Sequence, residues 1–308
     1  MKTPITLILV FLHSLIFAQE PRDHFSQEFF EHQRFAHRGG YANGPENTLK
    51  TILDNLENGV CGIEIDVFLT KDQQLVLFHD DTTGRILQDD QNQFISDLTL
   101  AELKAIPLRD VSQGTQFVCS LKDLVDTLVI LIPEKPELDF ILEIDFKPNG
   151  ESTEAGINAL LEILNDHLPT FGDRLYNYFF MSTFYPGVLK ALEEADPKMK
   201  KGFAVNNSSN EHKFKARMAI IFAPLLIKKF SAEVYEPNMC MITPRRVRKW
   251  HKRGKLINAW TANTTCQKAE MEKYPIAYTT NCPDGTCDVD DSDQVGKAKK
   301  WCKKCDED

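Results

Sequence analysis

Three short apolar runs near the start of the chain each end in ionisable residues: RFAH at 34–37, GIEIDV at 62–67 and LVLFHD at 75–80. Strands look like this when their C-terminal ends carry chemistry. Within GIEIDV, Glu64 and Asp66 stand two apart, so on a strand they share a face and leave Ile63, Ile65 and Val67 on the other. Two adjacent carboxylates repel unless a cation or a proton sits between them, which points to a hard, oxygen-loving metal. A lone Glu-x-Asp is more often a solvated strand end. Here His37 ends the strand before the pair and His79 the strand after it. Two histidines flanking a carboxylate pair make an acid/base couple around a metal.

The elements that must position these groups are legible around them. After His37, Gly39-Gly40 and Gly44-Pro45 make a tight loop, and Glu46-Asn47-Thr48 opens a helix that runs to about Asn58. Asn47 or Thr48 is a natural N-cap, so a structural role is assigned to both. Gly59 stops the helix and the Glu64 strand follows.

HRGG at 37–40, PENT at 45–48, EIDV at 64–67, Lys71-Asp72 and FHD at 78–80 together resemble the signature of the glycerophosphodiester phosphodiesterase family. Five short motifs in the right order are far more specific than any one of them. The resemblance runs from about Arg34 to Pro283, strongest before Arg85. It implies an α/β fold, a single TIM (β/α)8 barrel with small insertions, and a divalent metal, Mg2+ or Ca2+. It implies hydrolysis of glycerophosphodiesters to glycerol 3-phosphate and an alcohol. Some animal members, often membrane proteins, cleave lysophospholipids to lysophosphatidic acid instead. The length of 308 residues suits one such barrel.

Further positions follow from the resemblance. In the strand FILEIDFK, 140–147, the family carries an acidic metal ligand two places before a lysine near the phosphate, a pattern that Asp145 and Lys147 match. Many relatives have Glu where this chain has Asp145, and Glu143, on the same strand face, competes as third ligand. Arg38 offers a planar fork that suits phosphate. YFFMSTF at 178–184 resembles a family strand, and KGFAV at 201–205 reads as another. Trp260, in Trp-Thr-x-Asn, is expected to wall the substrate site, with a packing tryptophan as the alternative. Thr280-Asn281 departs from the family's Thr-Asp. Nine strand-like stretches are present for eight barrel positions, and 239–242 or 201–205 is expected to lie outside.

The ends and one interior segment bear on location. Residues 1–18 read as a secretory signal peptide, or as a short anchor facing lumen or extracellular space. Residues 19–33 are a lead-in, 34–284 the barrel domain, and 285–308 a charged, Cys-containing tail. Eight cysteines permit up to four disulfides, and Asn206, Asn207 and Asn263 open N-x-Ser/Thr sequons, Asn263 the least suited to glycosylation. DVDDSD, 288–293, lacks the spacing of an EF-hand loop and reads as solvated. The apolar run MAIIFAPLLI, 218–227, has Lys213, Lys215 and Arg217 before Met218 and Lys228 and Lys229 after Ile227. It suits a peripheral membrane contact, or else a buried helix with solvated ends.

The net charge of −9 argues against a nucleic-acid partner, so the basic residues at 245–253 read as a solvated helix face. The expected partner is a small molecule, a glycerophosphodiester or a lysophospholipid. Glu64, Asp66 and Asp145 would hold the metal, Arg38 and Lys147 would meet the phosphate, and His37 and His79 would be base and acid, which takes which role depending on the attacking group. The nucleophile is water or the substrate's own 2-hydroxyl. The rival class is a secreted barrel that binds lipid or phosphate without turning it over.

Overall fold

The computed structural model describes residues 22–135, 139–148, 152–206 and 213–285. The segment 1–18, Asn207, the acidic run 288–293 and Cys287, Cys302 and Cys305 lie outside the described residues. Nine strands form one sheet: β1 (Arg34–Ala36), β2 (Gly62–Leu69), β3 (Leu75–Leu77), β4 (Ile141–Phe146), β5 (Phe179–Thr183), β6 (Lys200–Val205), β7 (Val234–Pro237), β8 (Leu256–Ala259) and β9 (Ala277–Thr280). All but β3 pair in parallel, and β1 pairs with both β2 and β9, so the ring closes. Helices α1 (Leu49–Glu57), α2 (Leu121–Glu134), α3 (Thr153–Asn165), α4 (Pro186–Ala195), α5 (Lys213–Lys229), α6 (Pro244–His251) and α7 (Thr265–Met271) pack outside. This is the (β/α)8 barrel that the motifs imply.

The ninth strand is not where the sequence places it. KGFAV belongs to β6, which sits between β5 and β7 in the ring. Residues 239–241 form a short 3-10 turn, and the barrel strand there is the preceding Val234–Pro237. The strand outside is β3, antiparallel to β2 through a hairpin in which Thr70 N–H donates to Gln74 O. A connection that short can only return antiparallel, whereas a parallel barrel step needs a crossover of a dozen or more residues.

Strand periodicity divides the barrel into an outer apolar shell and a lumen. Ile63, Ile65 and Val67 of β2 are fully buried among Ile52 and Leu56 of α1 and Leu121, Leu124 and Leu128 of α2. At the lower end of the lumen, Phe35, Ile141, Phe180, Val234, Leu256 and Ala277 cluster with Phe29 and Phe30 from the lead-in. The lead-in thus supplies a floor. Burying an aromatic such as Phe30 contributes about 1.5–3 kcal/mol.

α5 is a continuous helix with Pro224 inside it. Ala223 and Ile227 are buried, while Ile221, Phe222 and Leu225 are exposed, so the run is half core and half surface. Among the described residues no helix is long and apolar enough to cross a membrane.

Gly62 lies opposite Phe35 in the β1–β2 register, and a Cβ placed on it would come within 2.7 Å of the Phe35 ring. Gly62→Ala is therefore expected to destabilise the barrel by about 1–3 kcal/mol. The check is a lower denaturant midpoint at an unchanged slope; an unchanged midpoint would contradict a tightly packed floor.

Candidate active site

Above the apolar floor the same strands turn acidic. β2 and β4 pair in register with Glu64 opposite Glu143 and Asp66 opposite Asp145, so four carboxylates line adjoining lumen positions. A fifth, Glu236, enters from β7. All five are buried. Strand periodicity places Glu143 a step deeper than Asp145, and Asn258 Nδ2 donates to its Oε2 at 2.7 Å. The oxygens of Glu64, Asp66 and Asp145 all lie within 4.8 Å of one another. Such a set of hard, buried carboxylate donors fits a divalent cation. A cavity of about 140 Å³ is lined by these groups together with His37, Arg38, His79, Lys147, Phe184 and Trp260. The larger depression, about 1130 Å³, lies at the other end of the barrel against the lead-in and includes none of these residues.

The electrostatics follow from crowding. Loss of solvent, then the neighbouring Asp66, Glu143 and Asp145, push the Glu64 carboxyl well above the usual range. Burial would raise Asp66 too, but Lys147, His79 and Arg38 outweigh it and hold that carboxyl low. The contacts agree: Lys147 Nζ is 2.8 Å from Asp66 Oδ1 and 3.2 Å from Asp145 Oδ2. Asp145 is raised by burial, against the pull of Lys147. Glu236 is pushed up to about 8, by burial above all; Ser182, whose hydroxyl donates to it, pulls the other way. Glu236 Oε1 has no hydrogen-bond partner.

The 37–48 segment wraps this cluster. Arg38 takes a left-handed backbone, φ 53°, and its N–H donates to Glu64 Oε2 at 2.7 Å. Its guanidinium lies loosely between Glu46, 3.4 Å away, and Asp66, 3.8 Å away. Thr48 caps α1 by accepting from Thr51 N–H, as expected. Asn47 departs from the structural role assigned to it: its Nδ2 donates to Asp66 Oδ2 at 3.0 Å and its Oδ1 accepts from the Asp66 N–H. The side chain is therefore an orienting partner of a candidate ligand.

Each histidine has its Nδ1 occupied. His79 Nδ1 lies 2.7 Å from Asp80 Oδ1. His37 Nδ1 lies 2.6 Å from Asn281 Oδ1, and Asn281 Nδ2 donates to the Tyr41 hydroxyl at 2.6 Å. With the amide nitrogen so used, the imidazole must be the donor to Oδ1, which leaves Nε2 as the basic nitrogen. Loss of solvent and the Arg38 charge lower His37 to about 3, so it is neutral at physiological pH. Trp260 lines the cavity edge-on to Phe184, ring centroids 5.3 Å apart, and donates its indole N–H to Glu236 O.

Every charged or aromatic residue singled out in the sequence as a site candidate thus reaches one cavity. Glu236, Asn258, Ser182 and Arg85 carry no expectation as site residues in the sequence, while Glu46 is read there only as part of PENT and Asn281 only as a departure from the family's Thr-Asp. Glu236 is a single acid in the short VYEP strand, and only its position before the 3-10 turn marks a strand end. Asn263 is buried, in keeping with its poor standing as a sequon. Cys61 and Cys119 are free thiols, so four disulfides cannot form.

Comparison with known proteins agrees with the geometry. The model of the "Glycerophosphoryl diester phosphodiesterase family" matches residues 37–279. A bovine (Bos taurus) protein named glycerophosphodiester phosphodiesterase 1 is 26% identical over 83% of this chain and 77% of its own length. A bacterial glycerophosphodiester phosphodiesterase from Caldanaerobacter subterraneus subsp. tengcongensis is 28% identical over 77% of this chain and 87% of its own. Among solved structures, a phosphodiesterase from Oleispira antarctica, in complex with the product sn-glycerol-3-phosphate, superposes with TM-score 0.65 at 22% identity. It covers 83% of this chain and 96% of that one, and this likeness speaks for the fold.

Asn281→Asp would set a carboxylate against His37 Nδ1. An added negative charge favours the imidazolium, so His37 is expected to titrate upward from about 3. An NMR titration of the ring checks this, and no upward movement would contradict the Asn281 contact.

Proposed function

The chain belongs to the glycerophosphoryl diester phosphodiesterase family and is a phosphoric diester hydrolase; on that premise we propose that it hydrolyses glycerophosphodiesters to glycerol 3-phosphate and an alcohol with a divalent metal. The observation that carries the reading is the buried Glu64, Asp66 and Asp145 triad with Arg38, Lys147, His37 and His79 around one cavity. The three carboxylates would hold Mg2+ or Ca2+, which when bound supplies positive charge to a phosphate oxygen.

The chain's own groups then have distinct tasks. A phosphodiester anion repels nucleophiles, so Arg38 and Lys147 offset its charge, and the Arg38 guanidinium is held only loosely, 3.4 Å from Glu46 and 3.8 Å from Asp66. His37, neutral and with Nε2 free of a proton, takes the proton of the attacking oxygen, which belongs to water or to the substrate's 2-hydroxyl. His79, held by Asp80, returns a proton to the leaving oxygen. Glu143 stays a deeper neighbour of the ligands. Trp260 and Phe184 wall the cavity.

Lysophospholipids are the second substrate class, with lysophosphatidic acid as product. Supporting this are the exposed Ile221, Phe222 and Leu225 of α5, with Lys228 and Lys229 at its end, a surface suited to peripheral contact with lipid. We also place the chain in the secretory pathway, on the apolar segment 1–18 and on Cys240, Cys266 and Cys282 as disulfide-bonded cysteines. A barrel that only binds lipid or phosphate has no chemical need for two histidines lining the same cavity as an acidic cluster.

The test is turnover of glycerophosphocholine, glycerophosphoinositol and lysophosphatidylcholine with Mg2+ or Ca2+, beside chelator and His37→Ala. We expect metal-dependent turnover, abolished by chelator and reduced by about 10²–10⁴-fold in His37→Ala. Folded protein inactive on all three substrates with either metal would favour the binding-only barrel.

A further inference from the structure

One cation near the site has no role in the reading above. Arg85 lies in the loop after β3 and is about half exposed, with 49% of its side chain accessible. Its guanidinium grips two carboxylates at once. On one edge, Nη1 and Nη2 donate to Glu46 Oε2 and Oε1, both at 2.7 Å. On the other, Nε donates to Asp80 Oδ2 at 2.5 Å and Nη2 to Asp80 Oδ1 at 2.9 Å. These two acids are the ones that touch Arg38 and His79. Asp80 Oδ1 faces His79 Nδ1 at 2.7 Å, and Glu46 faces Arg38 Nη1 with both oxygens at 3.4 Å.

The distances rank the partners of Glu46. Its short, forked contacts go to Arg85, while those to Arg38 are long and single-ended. Because both oxygens are already satisfied, Glu46 does not draw the Arg38 guanidinium into a tight pair, and its contacts to Arg38 Nη1 stay at 3.4 Å. Without Arg85, Glu46, whose side chain is only 11% accessible, would be left with a largely enclosed negative charge and Arg38 as its nearest cation. Asp80, for its part, would lose the contact that fixes its rotamer, and with it the orientation of the His79 ring.

We propose that Arg85 is a positioning residue that acts on both halves of the site, keeping Arg38 available to phosphate by occupying Glu46 and orienting His79 by holding Asp80. This rests on the reading of Arg38 as a phosphate-binding group and of His79 as a proton donor. The partial exposure of Arg85 screens its charge, so the weight lies on forked geometry, which a lysine cannot reproduce.

The experiment compares the full chain with Arg85→Ala, Arg85→Lys, Asp80→Asn, and the double variant Arg85→Ala with Glu46→Gln. One readout is binding of sn-glycerol 3-phosphate in the presence of Mg2+, measured by calorimetry, and the other is kcat on glycerophosphocholine. Arg85→Ala is expected to bind the probe about fivefold more weakly, a shift of roughly 1 kcal/mol, and to lose about tenfold in kcat. Adding Glu46→Gln should restore probe binding to near the unsubstituted level, since a neutral amide no longer clamps Arg38, while kcat stays low. Asp80→Asn should lower kcat with binding retained, and Arg85→Lys should fall between. A residue that merely stabilised the loop would not be rescued in binding alone by a second substitution. Arg85→Ala binding as tightly as the full chain, or a double variant no better than Arg85→Ala, would overturn the proposal. An unsubstituted chain that bound the probe but turned over nothing would count against the proposed reaction, and the binding comparison would still decide the role of Arg85.

Discussion

The structure turns on the crowding of five buried carboxylates, Glu64, Asp66, Glu143, Asp145 and Glu236, into one barrel mouth where Arg38 and Lys147 are the cations that line the cavity. Like charges so placed must take up protons, attract cations, or force the strands apart. The raised carboxyls of Glu64, Glu143 and Glu236, beside the low one of Asp66, are what this constraint looks like when two fixed cations reach only part of the cluster. A divalent cation held by Glu64, Asp66 and Asp145 would answer the same constraint, and would supply the charge that a phosphodiester needs.

The rest of the fold holds that arrangement in place. A closed parallel ring fixes the β2–β4 register that sets the acids side by side, and the aromatic floor from the lead-in keeps the lumen beneath them filled. The tight 37–48 loop then brings a backbone N–H to Glu64 and a side-chain amide to Asp66, so two candidate ligands are held in fixed orientations. Asn281 adds a neutral partner to His37. A neutral acceptor orients the His37 ring without favouring its protonated form, which suits a base.

How much of this was legible in the sequence depended on distance along the chain. The acids and histidines of HRGG, EIDV, FHD and the Asp145 strand were readable because strand periodicity and strand ends are local properties. Asn47 was misjudged because a cap and a ligand-orienting amide look alike in sequence; only the fold sets it against Asp66, 19 residues on. Glu46 with Arg85, 39 residues apart, and Ser182 with Glu236, 54 apart, are pairs that no local pattern signals. The surplus strand was misplaced for a related reason. A short apolar run such as Leu75–Leu77 reads like a barrel strand until the length of its connection is weighed.

The most direct test of the central claim is thermal unfolding of chelator-treated protein as Mg2+ or Ca2+ is added back. A cation bound by the folded acids alone must raise the melting temperature in a saturable way. The rise is expected for the full chain, and its loss in Glu64→Gln and in Asp145→Asn, each of which still melts cooperatively. A melting temperature indifferent to either metal, or a rise that persists in both variants, would contradict the idea that these carboxylates are gathered to hold a cation.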